Sequence, residues 1–197
     1  VTSALVEQDF QMAIEGGGSL MPEFEGRGGL LAWFDIFERY DDLLHATGVE
    51  DIKRAKEEGK TALIFGFQNA KPIEDNVDLL KVFHRLGVRI IQLTYQRRNF
   101  LGDGSGEKTS CGLSTFGVSA VEQMNKLGIV VDVSHTGERT SMDAIGVSKE
   151  PVIFSHSAVR AVCNHVRNIS DEQMKAVAEK GGVIGIAGLS IFLTPRG

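Results

Sequence analysis

From about residue 49 onward the apolar positions alternate between two rhythms. Short runs rich in β-branched and aromatic residues occur at 61–67 (TALIFGF), 88–94 (VRIIQLT), 129–133 (IVVDV), 151–154 (PVIF) and 182–189 (GVIGIAGL). Their length and composition predict buried strands. Between them the spacing lengthens to that of a helix. Residues 73–86 carry Val77, Leu80, Phe83 and Leu86 inward, and 115–127 carry Val118, Val121, Met124 and Leu127 on one face. A polar-flanked, helix-compatible stretch covers 137–148, and Ser170 is placed to N-cap another helix over 170–181. Upstream, Leu30, Trp33, Phe34, Phe37, Tyr40 and Leu44 predict an amphipathic helix over 30–44, and a second helix runs over 49–59, acidic at its start and closed by a glycine. Residues 1–29 are the least legible, with helical spacing over 4–14 stopped by Gly16-Gly17-Gly18 and a weak strand around 19–24.

Strands alternating with helices at this spacing predict an α/β fold with a parallel sheet. An open doubly wound sheet usually carries a glycine-rich phosphate loop, and neither GxGxxG nor GxxxxGK[ST] occurs. Polar residues instead stand at the carboxyl ends of successive strands: Gln68-Asn69, Tyr95, Ser134-His135 and Ser155-His156. Barrel active sites are assembled from such strand ends. The expected fold is therefore a partial (β/α)8 TIM-type barrel, a single incomplete domain over 1–197 with about five to six of the eight βα units.

Composition narrows the function classes. A net charge of −5 and a pI near 5.6 leave no electrostatic footprint for nucleic acid or an anionic membrane. No apolar run approaches the ~20 residues of a membrane span. Cys111 and Cys163 form no CxxC and read as reduced, buried thiols. The chain opens on Val1 without a visible signal peptide; an upstream segment could have been lost, so localisation is unreadable, the cytoplasm being slightly favoured.

The chemistry centres on GIVVDVSHTG and PVIFSHSAVRAVCNHVRN, where two strands each end in Ser-His, at His135 and His156. Consecutive parallel strands joined by a helix put both carboxyl ends on the same side of the sheet, so the two imidazoles can face one centre. Neutral imidazole is a ready zinc ligand. Arg167 is either a surface arginine capping its loop or a fork for a substrate carboxylate. Asp132, in the strand before His135, either orients an imidazole from behind or is a polar residue of the barrel interior. His165 and Asn168 read as loop-forming, and Glu57-Glu58, Glu74-Asp75 and Arg97-Arg98 as solvated or helix-start charges.

Taken together, Gln68-Asn69, GVRIIQLTYQRRN, GLSTFGVSAVEQMNKLGIVVDVSHTG, PVIFSHSAVRAVCNHVRN and GGVIGIAG resemble the membrane (renal-type) dipeptidases, zinc peptidases of the amidohydrolase-like barrel class. The similarity is strongest over 49–189. The resemblance implies that His135 and His156 bind the second of two zinc ions and that Arg167 holds the free carboxylate of a dipeptide. Tyr95 falls where the family usually has a histidine that binds substrate and stabilises the tetrahedral intermediate. Gln68 falls where the family has a glutamate bridging both metals. An amide there offers one neutral oxygen in place of a charged pair, which should weaken the site. The family's His-x-Asp pair and its last-strand acidic residue have no match in this chain.

The resemblance thus implies an enzyme, a zinc-dependent metallo-dipeptidase that cleaves the peptide bond of dipeptides by a metal-activated hydroxide. The expected partner is a dipeptide or other small substrate with a free carboxylate, with a homodimer open for the intact protein. Two rivals stand: another metal-dependent amidohydrolase acting on amides, esters or lactones, and a non-catalytic, metal-poor homologue. A barrel lacking strands has open edges, so this chain alone is expected to be poorly soluble or oligomeric with little peptidase activity. Size-exclusion chromatography and a dipeptide assay check that expectation.

Overall fold

The computed structural model describes residues 29–194. The expected helix over 4–14 and strand over 19–24 lie outside them. The chain runs through helix α1 (Gly29–Arg39), strand β1 (Leu43–His45), α2 (Val49–Glu57), β2 (Thr61–Leu63), β3 (Phe65–Phe67), a 3-10 turn (Lys71–Ile73) and α3 (Leu79–Arg85). It continues through β4 (Val88–Gln92), α4 (Thr115–Leu127), β5 (Val130–Asp132), α5 (Glu138–Val147), β6 (Val152–Ser157), α6 (Asp171–Glu179), β7 (Val183–Ile186) and α7 (Ser190–Leu193). No described helix is long and apolar enough to cross a membrane.

All strand pairs among the described residues are parallel. A five-stranded sheet has the order β3-β4-β5-β6-β7, and β1 pairs with β2 in a second, two-stranded sheet. The order of the larger sheet follows the sequence without reversal, so it contains no switch point of the doubly wound kind. This is the winding of a (β/α)8 barrel, and the fold is a partial barrel of that type. Period-two alternation decides which side chains meet the helices. Phe65, Phe67, Ile91, Leu93, Val131, Val133, Val152 and Phe154 are buried in one core cluster with Leu80, Phe83, Val121 and Met124 of α3 and α4. Full burial of such side chains stabilises the fold by about 1.5–3 kcal/mol each.

Local chemistry sets the helix ends. Ser114 accepts from Gly117 N at 2.9 Å to start α4, and Gly128 ends it at φ +73°, a conformation that favours glycine. At α6, Ser170 and Gln173 cap each other reciprocally, and the Gln173 amide reaches Ser141 Oγ on α5 at 2.7 Å.

Several expectations need correction. Leu44 belongs to strand β1, not to a helix, because pairing of Leu43–His45 with Thr61–Leu63 outweighs the helical spacing. The run 61–67 divides at Ile64, its first part pairing with β1 and its second with β4. Helix α3 is shorter than 73–86 and Leu86 is 41 % exposed rather than inward. The 3-10 turn at Lys71–Ile73 and the Asn76 side chain, which accepts from Asp78 N at 3.0 Å, divert the backbone before α3 can begin. Cys163 is buried as expected, but Cys111 is exposed, being carried on the long loop between β4 and α4.

Candidate functional site

Two departures from regular strand geometry build the site. On β6, Phe154 pairs with Ile184 and Ser157 with Ile186, so three steps on β6 match two on β7. The extra residue is a β-bulge. Simple alternation would turn His156 to the same side as Phe154, toward the helices; the bulge brings it round beside Ser155. The bulge packs closely on β7, where a Cβ added to Gly185 would lie 2.1 Å from the Ser155 carbonyl oxygen. Gly185→Ala is therefore expected to lower stability by about 1–3 kcal/mol through overpacking. An unchanged denaturation midpoint would show that the bulge tolerates a side chain there.

The second departure is at His135, whose φ of +59° is left-handed. A non-glycine residue in that conformation stores roughly 1–2 kcal/mol, and such residues gather at functional sites. The neighbouring loop locks it in place: Ser105 N donates to His135 O at 2.8 Å and Gly137 N to Asp103 O at 2.8 Å. Asp103, itself buried, holds Arg98 in an ion pair, so Arg98 is not simply a solvated charge. Tyr95, at the mouth of this loop, stacks on the His135 ring with centroids 4.2 Å apart and an interplanar angle of 24°.

The result is a convergence of nitrogen atoms. His135 Nε2 lies 2.9 Å from His156 Nε2, and Gln68 Nε2 lies 3.1 Å from the same atom. Gln68 is held at its strand end by Gln92, whose amide donates to Gln68 O and, at 2.7 Å, to Thr94 O. Asn69 beside it accepts from Asn99 Nδ2 at 3.0 Å.

Asp132 does contact one of the histidines' supports, though not that of His135. Its Oδ1 accepts from Ser134 N at 2.9 Å and Ser155 N at 3.1 Å, and its Oδ2 accepts from the Ser155 hydroxyl. Ser155 Oγ is in turn 2.7 Å from His156 Nδ1. Arg167 is not a surface residue. It is 2 % exposed, donates from Nη2 to His156 O at 2.9 Å, and lies with Cζ 5.4 Å from the Phe192 ring centroid. Asn168 and His165 shape its loop as expected: Asn168 Nδ2 donates to Cys163 O and Phe192 O, each at 2.8 Å, and His165 Nδ1 accepts from Arg167 N at 3.1 Å.

Electrostatics keep both imidazoles neutral. Burial, reinforced by Arg167 and His156, pushes His135 down to about 2. Burial also lowers His156, with Asp132 opposing the shift and Arg167 adding to it. Burial brings Arg167 down to about 10, against the pull of Asp132 and Tyr95. A neutral imidazole is the metal-ligating form, so the donor chemistry of this pair suits a cation. Among the described residues no group of three or more His, Cys, Asp or Glu gathers as a complete metal site. What is present is a pair of imidazoles with an amide beside them.

The structure brings the candidates Gln68, Tyr95, Asp132, His135, His156 and Arg167 together, with Asp132 joined through Ser155. Gln92, Gly185 and the separate part taken by Ser155 are not among the expectations from sequence. The repeated Ser-His dipeptide was a signal for the last of these. Nothing local marked the other two.

Comparison with known proteins gives a consistent picture. The sequence family described as Membrane dipeptidase (Peptidase family M19) matches residues 33–196. Dipeptidase tcpJ of Claviceps purpurea is 36% identical over 155 residues, covering 77% of this chain and 36% of its own length. The crystal structure of the probable dipeptidase PvdM from Pseudomonas aeruginosa superposes with a TM-score of 0.81 at 30% identity, over 84% of this chain and 44% of that one. A metallo peptidase from Rhodobacter sphaeroides, solved with a phosphinate mimic of the dipeptide L-Ala-D-Ala, superposes with a TM-score of 0.77 at 27% identity, over 83% and 48%. The chain spans between 34% and 40% of the length of the curated relatives it matches. On the breadth of the family match and the identity to its members, this chain belongs to the membrane dipeptidase family, peptidase family M19.

Proposed function

We propose that this chain contributes one half of the metal centre of a dipeptide-cleaving hydrolase, with His135 and His156 as its imidazole ligands. The observation that carries the reading is the approach of the two Nε2 atoms to 2.9 Å, both on neutral rings. A divalent cation there, zinc by the preference of this donor type, supplies Lewis acidity toward a carbonyl and lowers the pKa of water. The chain's own residues do the rest. Arg167 meets the substrate carboxylate, its buried Nε having no hydrogen-bond partner among the described residues. Tyr95, stacked on His135 and 41 % exposed, covers the ligand ring and offers a hydroxyl to the substrate. The Rhodobacter sphaeroides metallo peptidase is liganded with a phosphinate mimic of the dipeptide L-Ala-D-Ala; a small peptide with a free carboxylate is the corresponding substrate class here.

Gln68 favours a second reading, that of a metal-poor, non-catalytic relative. Its amide turns Nε2 toward His156, so using Oε1 as a ligand requires the terminal amide to rotate. Elemental analysis of the intact protein, with dipeptides assayed beside amides and lactones, separates the readings. Bound zinc with dipeptide cleavage is expected. A protein without zinc that cleaves no dipeptide would sink the enzyme reading. Gln68→Glu sharpens the test: a tighter metal with raised turnover is expected, whereas metal content still at zero supports the non-catalytic reading.

A further inference from the structure

We propose that Ser155 is a positioning residue that sets the tautomer of His156, acting as the link between that ring and the Asp132 carboxylate. The inference rests on the reading of His156 as a metal ligand, and the hydrogen-bond geometry directs it. Asp132 can only accept, and its Oδ2 faces the Ser155 hydroxyl, so the single hydroxyl proton points to Asp132. The Ser155 oxygen then presents a lone pair to His156 Nδ1 at 2.7 Å, and that contact is a hydrogen bond only if Nδ1 carries the proton. Nε2 is left as the basic nitrogen, and it is the atom that faces His135 and Gln68.

The arrangement contains the three side chains of a hydrolytic triad in a different order. In such a triad the histidine lies between the acid and the serine and activates the hydroxyl. Here the serine lies between, so its proton is committed to the acid and it cannot serve as a nucleophile activated by His156. Its effect falls on the imidazole, as a carboxylate behind a ligating histidine fixes ring and proton. Ser134 secures the same corner, its Oγ accepting from His156 N at 3.1 Å. His135 has no such device: its Nδ1 is buried without a hydrogen-bond partner among the described residues. Of the two rings, His156 is the one whose tautomer is preset.

The test uses the intact protein with 15N-labelled histidine, freed of metal, and reads each ring's protonated nitrogen by long-range 1H–15N NMR. The unmutated protein is expected to show His156 protonated on Nδ1, and Ser155→Ala to lose that single form. Zinc affinity, measured by competition with a chromophoric chelator, is expected to fall about 10–100-fold in Ser155→Ala. Ser155→Thr, which keeps the hydroxyl at an exposed position, is expected to restore both. An Nε2-protonated His156 in the unmutated protein overturns the proposal, as does Ser155→Ala with unchanged zinc affinity. If the unmutated protein binds no zinc yet His156 is Nδ1-protonated, the tautomer assignment is supported and the metal reading alone fails.

Discussion

In the intact protein, His156→Ala is expected to lower metal affinity and kcat/KM together, each by more than the ~10–100-fold that loss of a mere supporting partner brings. The reason is the number of connections that end on this ring. Its Nε2 is the point at which His135 and Gln68 meet, and its Nδ1 is the end of the chain of hydrogen bonds from Asp132. Truncation removes the proposed ligand and releases both neighbours from their orientation. His156 is only half-buried, so the fold should survive the change. Elemental analysis and steady-state kinetics on the purified variant check the outcome. Stoichiometric metal in His156→Ala would remove this residue from the ligand set.

Arg167→Met is expected to raise KM for free dipeptides by roughly 10–150-fold, the equivalent of losing charge-assisted hydrogen bonds of about 1.5–3 kcal/mol. Dipeptides amidated at the carboxyl end, which lack the negative partner, should show no comparable change. The guanidinium is buried and held by His156 O, by Ser157 Oγ at 3.5 Å and by the Phe192 face, so some loss of stability will accompany the variant. The comparison of the two substrates separates binding from stability, because a loosened fold penalises both equally. Equal losses on both would leave Arg167 with a structural part only. Lysine is a poor replacement, since a point charge cannot reproduce the fork.

Much of this molecule is legible in its amino-acid sequence. The alternation of apolar strand runs with helical spacing marks the parallel α/β fold, and the apolar face over 115–127 matches α4, whose ends are set locally by Ser114 and Gly128. The capping pair at Ser170 and Gln173 was equally local. Less legible were segments whose state depends on a distant partner. Leu43–His45 is a strand because Thr61–Leu63 lies beside it, and the run 61–67 divides because its two ends have different neighbours.

The site divides along the same line. Residue type and order placed His135 and His156 at equivalent strand ends, and Arg167 in the loop that follows, because strand length and alternation are properties of neighbouring residues. The aim of each imidazole was not available from that information. Period-two alternation alone would send His156 toward the helices; a bulge against Gly185, at a contact between strands 30 residues apart in number, reverses it. Likewise Asp132 could be named as a support, but whether it served His135 three residues on or His156 across the sheet depended on the register of β5 against β6. Sequence specifies which groups are present and their local geometry, whereas direction and partnership across strands arise only when the sheet is assembled, since register and bulges are properties of paired chains.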